Sequence, residues 1–185
     1  FSAFYNHNDA NVFTQTEVRE ALNIAINKSA IVQNTLHGYA TEITGPLPPG
    51  SIGHVLFDDT YTSTTSSRVD IAKEILADAG WETGEDGILE KETSDDTLRL
   101  SFSIATTDEA PELIRIANEL KTTWEELGAE VEIKSYLTQD QLKNEAIRPR
   151  DFDVLLFGEI LGIDSDPYAF WHSSQRLDPG LNIGS

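Results

Sequence analysis

From Gly158 to Gln175 the chain reads GEILGIDSDPYAFWHSSQ, which sets carboxylates directly against aromatic rings. Glu159, Asp164 and Asp166 supply the acids, and Tyr168, Phe170, Trp171 and His172 follow immediately. Such a run can hold a ligand, do acid–base chemistry, bind a metal or start a helix. Asp166-Pro167 has the chemistry of a helix start: an N-cap carboxylate, then a proline where its missing N–H is not needed. The helix would be PYAFWHSSQ, with Phe170 and Trp171 available for burial. Asp164 lies outside that helix and has no basic neighbour in sequence. A ligand ammonium bound to such a carboxylate gains a charge-assisted hydrogen bond of about 1.5–3 kcal/mol. Glu159 is a second acid of the same kind.

Asp164, Asp166 and His172 could be written as metal ligands, but Asp-x-Asp lacks the later glycine and glutamate of a calcium loop. His7, His37 and His54 stand in unrelated contexts without paired spacing. No metal and no cofactor is expected. The chain contains no G-x-S-x-G, no phosphate loop and no dinucleotide glycine fingerprint. Two acids in one loop also match poorly the carboxylates that flank a glycosidic bond. A binding protein is expected, not an enzyme.

The elements that must position these residues follow from hydrophobic spacing. Val18, Ala21, Leu22, Ala25 and Ile26 predict a helix, with Thr14 and Glu17 as a capping box. Asn27 predicts the cap of a second, short helix that ends at Gly38. The segment ATEITGPLPPGSIG reads as an irregular loop, and TYTSTTSSR as a polar connector. Val69, Ala72, Ile75, Leu76 and Ala79 predict a third helix stopped by Gly80, and Asp86-Gly87 a hairpin turn.

In the second half, Leu98, Leu100, Phe102 and Ile104 alternate with Arg99, Ser101 and Ser103, which predicts one half-buried strand. A long helix is expected from about Glu109 to Leu127, with Ile114, Ala117, Leu120, Trp124 and Leu127 inward and Gly128 as its stop. AEVEIKSY reads as a strand, TQDQLKNEAI as a short helix, and FDVLLFG as a strand covered on both faces. Strand, helix, strand, helix, strand at these spacings implies a mainly parallel α/β sheet with flanking helices. In open sheets of this class, ligands sit beyond the carboxyl ends of the strands. Glu159 and Asp164 belong to the loop leaving such an end.

Composition narrows the partners. The 185 residues, 39% hydrophobic, suffice for one domain with a substantial core. No apolar run approaches the roughly 20 residues of a membrane helix, and no targeting segment is visible. The 32 acids against 13 bases give a net charge of -19, and the bases are scattered. Nucleic acid and anionic lipid are therefore excluded as expected partners; cationic or zwitterionic ligands fit better. There is no cysteine, which excludes disulfides, zinc–thiolate sites and thiol catalysis in this segment and suits an extracytoplasmic protein. The absence of methionine, an opening FSAFY and a close at NIGS make an excerpt of a longer protein the expectation.

Several stretches, taken in order, resemble a known family. EVREALNIAINKSAIVQNTLHGYATEITGPLPPG, RVDIAKEILADAGW, DGILEK, IANELKTTWEELGAEVEI and FDVLLFGEILGIDSDPYAFWHSS are similar to the landmarks of family 5 extracellular solute-binding proteins. These are the oligopeptide-, dipeptide- and nickel-binding components of ABC importers. The resemblance covers nearly the whole chain. It implies that residues 1–185 are a single lobe of a two-lobed, type II periplasmic-binding-protein-like fold, without its amino-terminal lobe and carboxyl-terminal return segment. It also implies an extracytoplasmic, lipid-anchored, monomeric receptor that captures a peptide or other small solute between lobes and docks on a membrane permease. A surface or sensor protein without transport, or a receptor for a sugar or a metal complex, is the alternative. In peptide-binding members an aspartate in the loop after the FD strand holds the ligand's α-ammonium. The usual loop runs G-W-x-A-D-x-x-D/E-P; here it is one residue longer, Glu159 replaces the frequent Trp, and Ile163 stands four before Pro167. Asp164 takes the ammonium role after a local shift, or Glu159 does, or the ligand is not a free-amine peptide. Tyr168 and Trp171 are the expected walls of a side-chain pocket.

Overall fold

The computed structural model describes residues 1–7, 11–43, 45, 47, 49, 67–94, 96–158, 168, 172–175 and 182. A four-stranded sheet forms its centre, with Ser2–Tyr5, Val154–Phe157, Ser101–Thr107 and Glu130–Tyr136 side by side in that order. Strands β5 (Ser101–Thr107), β6 (Glu130–Tyr136) and β7 (Val154–Phe157) run parallel, and β1 (Ser2–Tyr5) pairs antiparallel with β7 at one edge. A second, three-stranded antiparallel sheet joins β2 (Glu82–Thr83), β3 (Leu89–Glu92) and β4 (Thr97–Arg99). The expected α/β class with a mainly parallel sheet is what the chain adopts.

Helix α1 (Thr16–Ala25) buries Val18, Ala21, Leu22 and Ala25 as the 3.6-residue spacing requires. Its start departs from expectation, because no capping box forms. Thr14 ends a 3-10 turn, Asn11–Thr14, and its hydroxyl donates to the Asn11 carbonyl at 2.6 Å. Gln15 occupies the N-cap without a side-chain bond, and Glu17 turns to Lys91 instead. The next cap is as expected: Asn27 Oδ1 accepts from the Ala30 N–H at 3.0 Å and opens α2 (Lys28–Ala30), which continues through a π-type turn over Ile31–Thr35. Gly38, at φ +78°, lets the chain leave this short helix.

Helix α3 (Arg68–Asp78) is capped by Ser67, whose hydroxyl accepts from the Asp70 N–H, and it packs on α1. The Asp86-Gly87 turn joins β2 to β3, with Gly87 at φ +89°. Helix α4 (Pro111–Leu127) begins two residues later than the spacing suggests, because Pro111 takes its first turn. Its buried face is Leu113, Ile116, Ala117, Leu120, Trp124 and Leu127, while Ile114 stays half-buried. Gly128 ends it in the left-handed region, at φ +107°. The short helix α5 (Gln139–Leu142) runs into a second π-type turn, Lys143–Ile147.

Both faces of the parallel strands are covered, and alternate residues divide between them. Phe102, Ile104, Val131, Val154 and Leu156 pack with α1, α3 and α4 in the larger apolar cluster. Ala105 and Leu155 face the other way, onto Leu142, Ala146 and Phe152. Tyr5, Phe13, Phe102 and Trp124 form an aromatic chain through the larger cluster, with ring centroids 5.0–6.5 Å apart. The Trp124 indole N–H donates to the Leu22 carbonyl at 3.1 Å, so the buried ring carries no orphaned donor.

The expected single strand over TLRLSFSIA is corrected to two. At Leu100 the chain changes partners: its N–H donates to Leu89 in the small sheet, and its carbonyl accepts from Glu130 in the large one. Nor is β5 half-buried, since every residue from Phe102 to Thr107 is buried, Ser103 included. Among the described residues no helix is long and apolar enough to cross a membrane.

Candidate functional site

The carboxyl ends of the parallel strands meet at one edge of the sheet. Thr107, last in β5, pairs with Tyr136, last in β6. Phe157, last in β7, pairs with Ser2, so Phe1 and Gly158 come together there. A Cβ built on Gly158 would lie 2.7 Å from the Phe1 ring, which makes glycine the residue that admits this close approach. Glu159 and Asp164 follow directly from this point in sequence.

The loops leaving β5 and β6 are tied to each other. The Asp108 N–H donates to the Tyr136 carbonyl at 2.8 Å, and the Gln139 N–H at the start of α5 donates to Glu109 Oε2 at 2.9 Å. Burial pushes the Tyr136 phenol up, reinforced by the carboxylates of Asp151 and Glu145. Leu137, just past β6, is 72% exposed. The edge therefore combines acids, a protonated phenol and exposed apolar surface. Asp108, Glu109, Tyr136 and Leu137 were absent from the sequence-derived site, although the strand-end rule points to them as much as to Glu159.

At the other end of the strands, Asp153 pins β7 to β5. Its Oδ2 accepts from both the backbone N–H and the hydroxyl of Ser103, each at 2.7 Å. Its carbonyl accepts from the Asn6 N–H, and Asn6 Nδ2 donates to the Arg150 and Phe152 carbonyls at 2.8 Å. A groove of about 690 Å³ runs past this pin between Ser101, Lys121, Glu130, Lys134 and Asp153. It lies at the amino ends of the strands, and several of its polar groups are already engaged. Lys121 bonds the Glu125 carboxylate and the Val131 carbonyl, and the Ser101 hydroxyl donates to Glu130. The strand-end rule and this internal pairing both favour the opposite edge as the ligand site.

Of the four sequence-derived site residues, Tyr168 is described, whereas Glu159, Asp164 and Trp171 lie outside the described residues. So do Asp166, Pro167 and Phe170, the expected helix start and its packing residue. Tyr168 is 48% exposed, and its carbonyl accepts from the His172 N–H at 3.0 Å, a helical bond within the expected helix. Among the described residues no group of three or more His, Cys, Asp or Glu side chains is arranged to hold a metal.

The family model described as "bacterial extracellular solute-binding proteins, family 5 Middle" matches residues 1–178. The chain belongs to that family. The oligopeptide-binding protein AppA of Bacillus subtilis is 30% identical over 174 residues, which is 92% of this chain and 30% of AppA. Its solved structure, in complex with a nonapeptide, matches with a TM-score of 0.82 over 98% of this chain and 35% of its own, at 29% identity. The glutathione-binding protein GsiB of Escherichia coli (strain K12) is 39% identical over 72 residues, or 39% of this chain and 13% of GsiB. NikZ from Campylobacter jejuni, solved in complex with Ni(L-His), shares the fold with a TM-score of 0.76 at 24% identity, covering 98% of this chain and 35% of its own. The chain spans about a third or less of each of these proteins. Members of the family are solute-binding proteins, and the α/β fold with its parallel sheet is the family's fold.

Proposed function

We propose that residues 1–185 form one lobe of an extracytoplasmic solute receptor of an ABC importer, with peptides as cargo. The observation that carries this reading is the similarity, across 92% of the chain, to an oligopeptide-binding protein. In this reading the ligand lies at the carboxyl edge of β5, β6 and β7, in a cleft that a second lobe closes, and the loaded receptor docks on a membrane permease. The receptor acts as a monomer held at the membrane by a lipid anchor.

Asp164 or Glu159 meets the ligand's α-ammonium, and Tyr168 and Trp171 wall a side-chain pocket. Support for the acids comes from chain position: both follow the strand whose end abuts Phe1 at the carboxyl edge. Two other acids already have partners, one at each edge of the sheet. Glu109 accepts from the Gln139 N–H, and Asp153 accepts twice from Ser103 at the opposite edge.

Calorimetric titration of the full-length protein with free-amine and N-acetylated pentapeptides tests the proposal. A charge-assisted bond of about 1.5–3 kcal/mol corresponds to roughly a ten- to 150-fold loss of affinity on acetylation. Asp164→Ala or Glu159→Ala produces the same loss, and acetylation then costs nothing further in the variant that has lost the contact. Equal affinity for both peptide forms, with both variants binding like the wild type, sinks the ammonium role.

A further inference from the structure

Tyr168 is held by contacts that the binding reading leaves unused. Its phenol oxygen lies 3.0 Å from Ser174 Oγ, and its ring stacks on His172 with centroids 4.5 Å apart and planes 26° from parallel. Ser174 Oγ also lies 2.9 Å from His172 Nδ1, and the Ser174 backbone N–H donates to the same nitrogen at 3.2 Å. A backbone amide can only donate, so Nδ1 is the accepting nitrogen and the ring proton sits on Nε2. The remaining directions follow. Ser174 Oγ–H donates to Nδ1, and its lone pairs accept from the Tyr168 phenol and, at 3.4 Å, from the Gln175 amide. The chain is ordered: phenol to hydroxyl to imidazole.

The backbone braces the same frame. The Gln175 N–H and Asn182 Nδ2 both donate to the His172 carbonyl, at 2.9 and 3.2 Å, and the Asn182 N–H donates to the Gln175 carbonyl at 3.1 Å. An exposed phenol needs no such assembly to satisfy its hydroxyl, because water does that. What the assembly adds is a fixed ring orientation, and fixing an aromatic before binding removes an ordering cost from the association step. Tyr168 as a whole residue is 48% exposed, so part of its surface stays open to a ligand.

We infer that His172 and Ser174 are positioning residues that set the Tyr168 ring in the orientation it presents to a peptide side chain. The inference rests on the reading of Tyr168 as a wall of the ligand cleft.

The test uses the full-length protein and alanine-based pentapeptides in which one phenylalanine is walked through every position. For the tightest of them, Ser174→Ala and Tyr168→Phe each weaken binding about three- to tenfold. The double variant is no weaker than either single one, since both break the same chain. Ser174→Thr keeps the hydroxyl and restores wild-type affinity. Nitrogen NMR of the His172 ring shows the Nε2-protonated tautomer; in Ser174→Ala the backbone N–H keeps that tautomer, while the Nδ1 shift moves because the hydroxyl contact is gone. Additive losses in the double variant, or a Ser174→Thr loss equal to that of Ser174→Ala, overturn the inference. If Tyr168→Ala binds like the wild type, the cleft-wall reading falls and the inference with it. If Tyr168→Ala weakens binding while Ser174→Ala does not, the inference alone falls.

Discussion

Replacing Asp153 with alanine removes the carboxylate that fixes β7 beside β5. Both strands run parallel but share only a short ladder, Ile104 with Val154 and Ala105 with Leu155. One step before that ladder, Asp153 Oδ2 takes the Ser103 N–H and hydroxyl at 2.7 Å each. Two bonds to a charged acceptor contribute about 3–6 kcal/mol at the general scale. Asp153 is half-buried, so partial solvation lowers the expectation to about 2–4 kcal/mol. The loss is concentrated at Ser103, which is 3% exposed and cannot exchange its lost partner for water without opening the sheet. Hydrogen exchange reads this locally, even within a larger protein. For Asp153→Ala, amide exchange in β5 accelerates about 30- to 1000-fold, while exchange in α3 is unaffected. Asp153→Asn keeps a neutral acceptor and gives roughly half the effect in free energy. Acceleration below threefold in β5, or equal acceleration in α3, would show that the carboxylate does not pin the strands.

Two further outcomes follow from side chains away from the site. Burial pushes the Glu17 carboxyl up, but donation from Lys91 at 2.6 Å and from the backbone outweighs it and holds the group below its ordinary value of 4.5. A depressed carboxyl contributes stability that is present above its ordinary value and lost as pH falls toward the depressed one. The melting temperature of the wild type therefore drops more steeply below pH 5 than that of Lys91→Ala, and parallel curves would refute the pairing. Gly128→Ala combines a left-handed φ of +107° with a Cβ 2.9 Å from Leu89 Cγ, whereas Gly80→Ala, at φ +87°, meets no atom within 4 Å. Calorimetric melting places Gly80→Ala about 1–2 kcal/mol below the wild type and Gly128→Ala lower still; equal losses would mean Leu89 yields freely.

The elements legible in the sequence are those whose signals are local. Val18, Ala21, Leu22 and Ala25 repeat at the helical period, and α1 buries them. Asn27, Gly38, Gly87 and Gly128 act within a few residues of themselves and mark caps and turns where expected. The misreadings are mostly long-range. Ser103 looked solvent-facing because serine between apolar residues usually is, and the carboxylate that satisfies it lies 50 residues away. Leu100 looked mid-strand because nothing local shows that its N–H goes to Leu89 while its carbonyl takes Glu130. Thr14 and Glu17 had the spacing of a capping box, but a 3-10 turn claimed Thr14 and Lys91 claimed Glu17.

The site divides along the same line. The expectation for its position rests on one rule: a parallel sheet presents its strand ends at one edge, and the chain after FDVLLFG leaves from there. Which acids remain for a ligand is not legible in the sequence, because that depends on partners distant in sequence. The net charge of -19 is a poor guide, since a carboxylate already engaged has less to offer an ammonium. Arg99 draws Asp86, Glu90 and Glu130 to within 2.6, 3.2 and 3.4 Å, and Lys91 and Lys121 hold Glu17 and Glu125. At the strand ends Glu109 caps the start of α5. On the proposed reading, the acids that follow β7 are preferred by their chain position and not by their charge. That ordering makes a selective claim: Asp86→Ala and Glu125→Ala, which remove as much charge as Asp164→Ala, leave peptide affinity unchanged. A loss of affinity that tracked net charge alone would replace a defined contact with a diffuse field, and it would vanish in high salt.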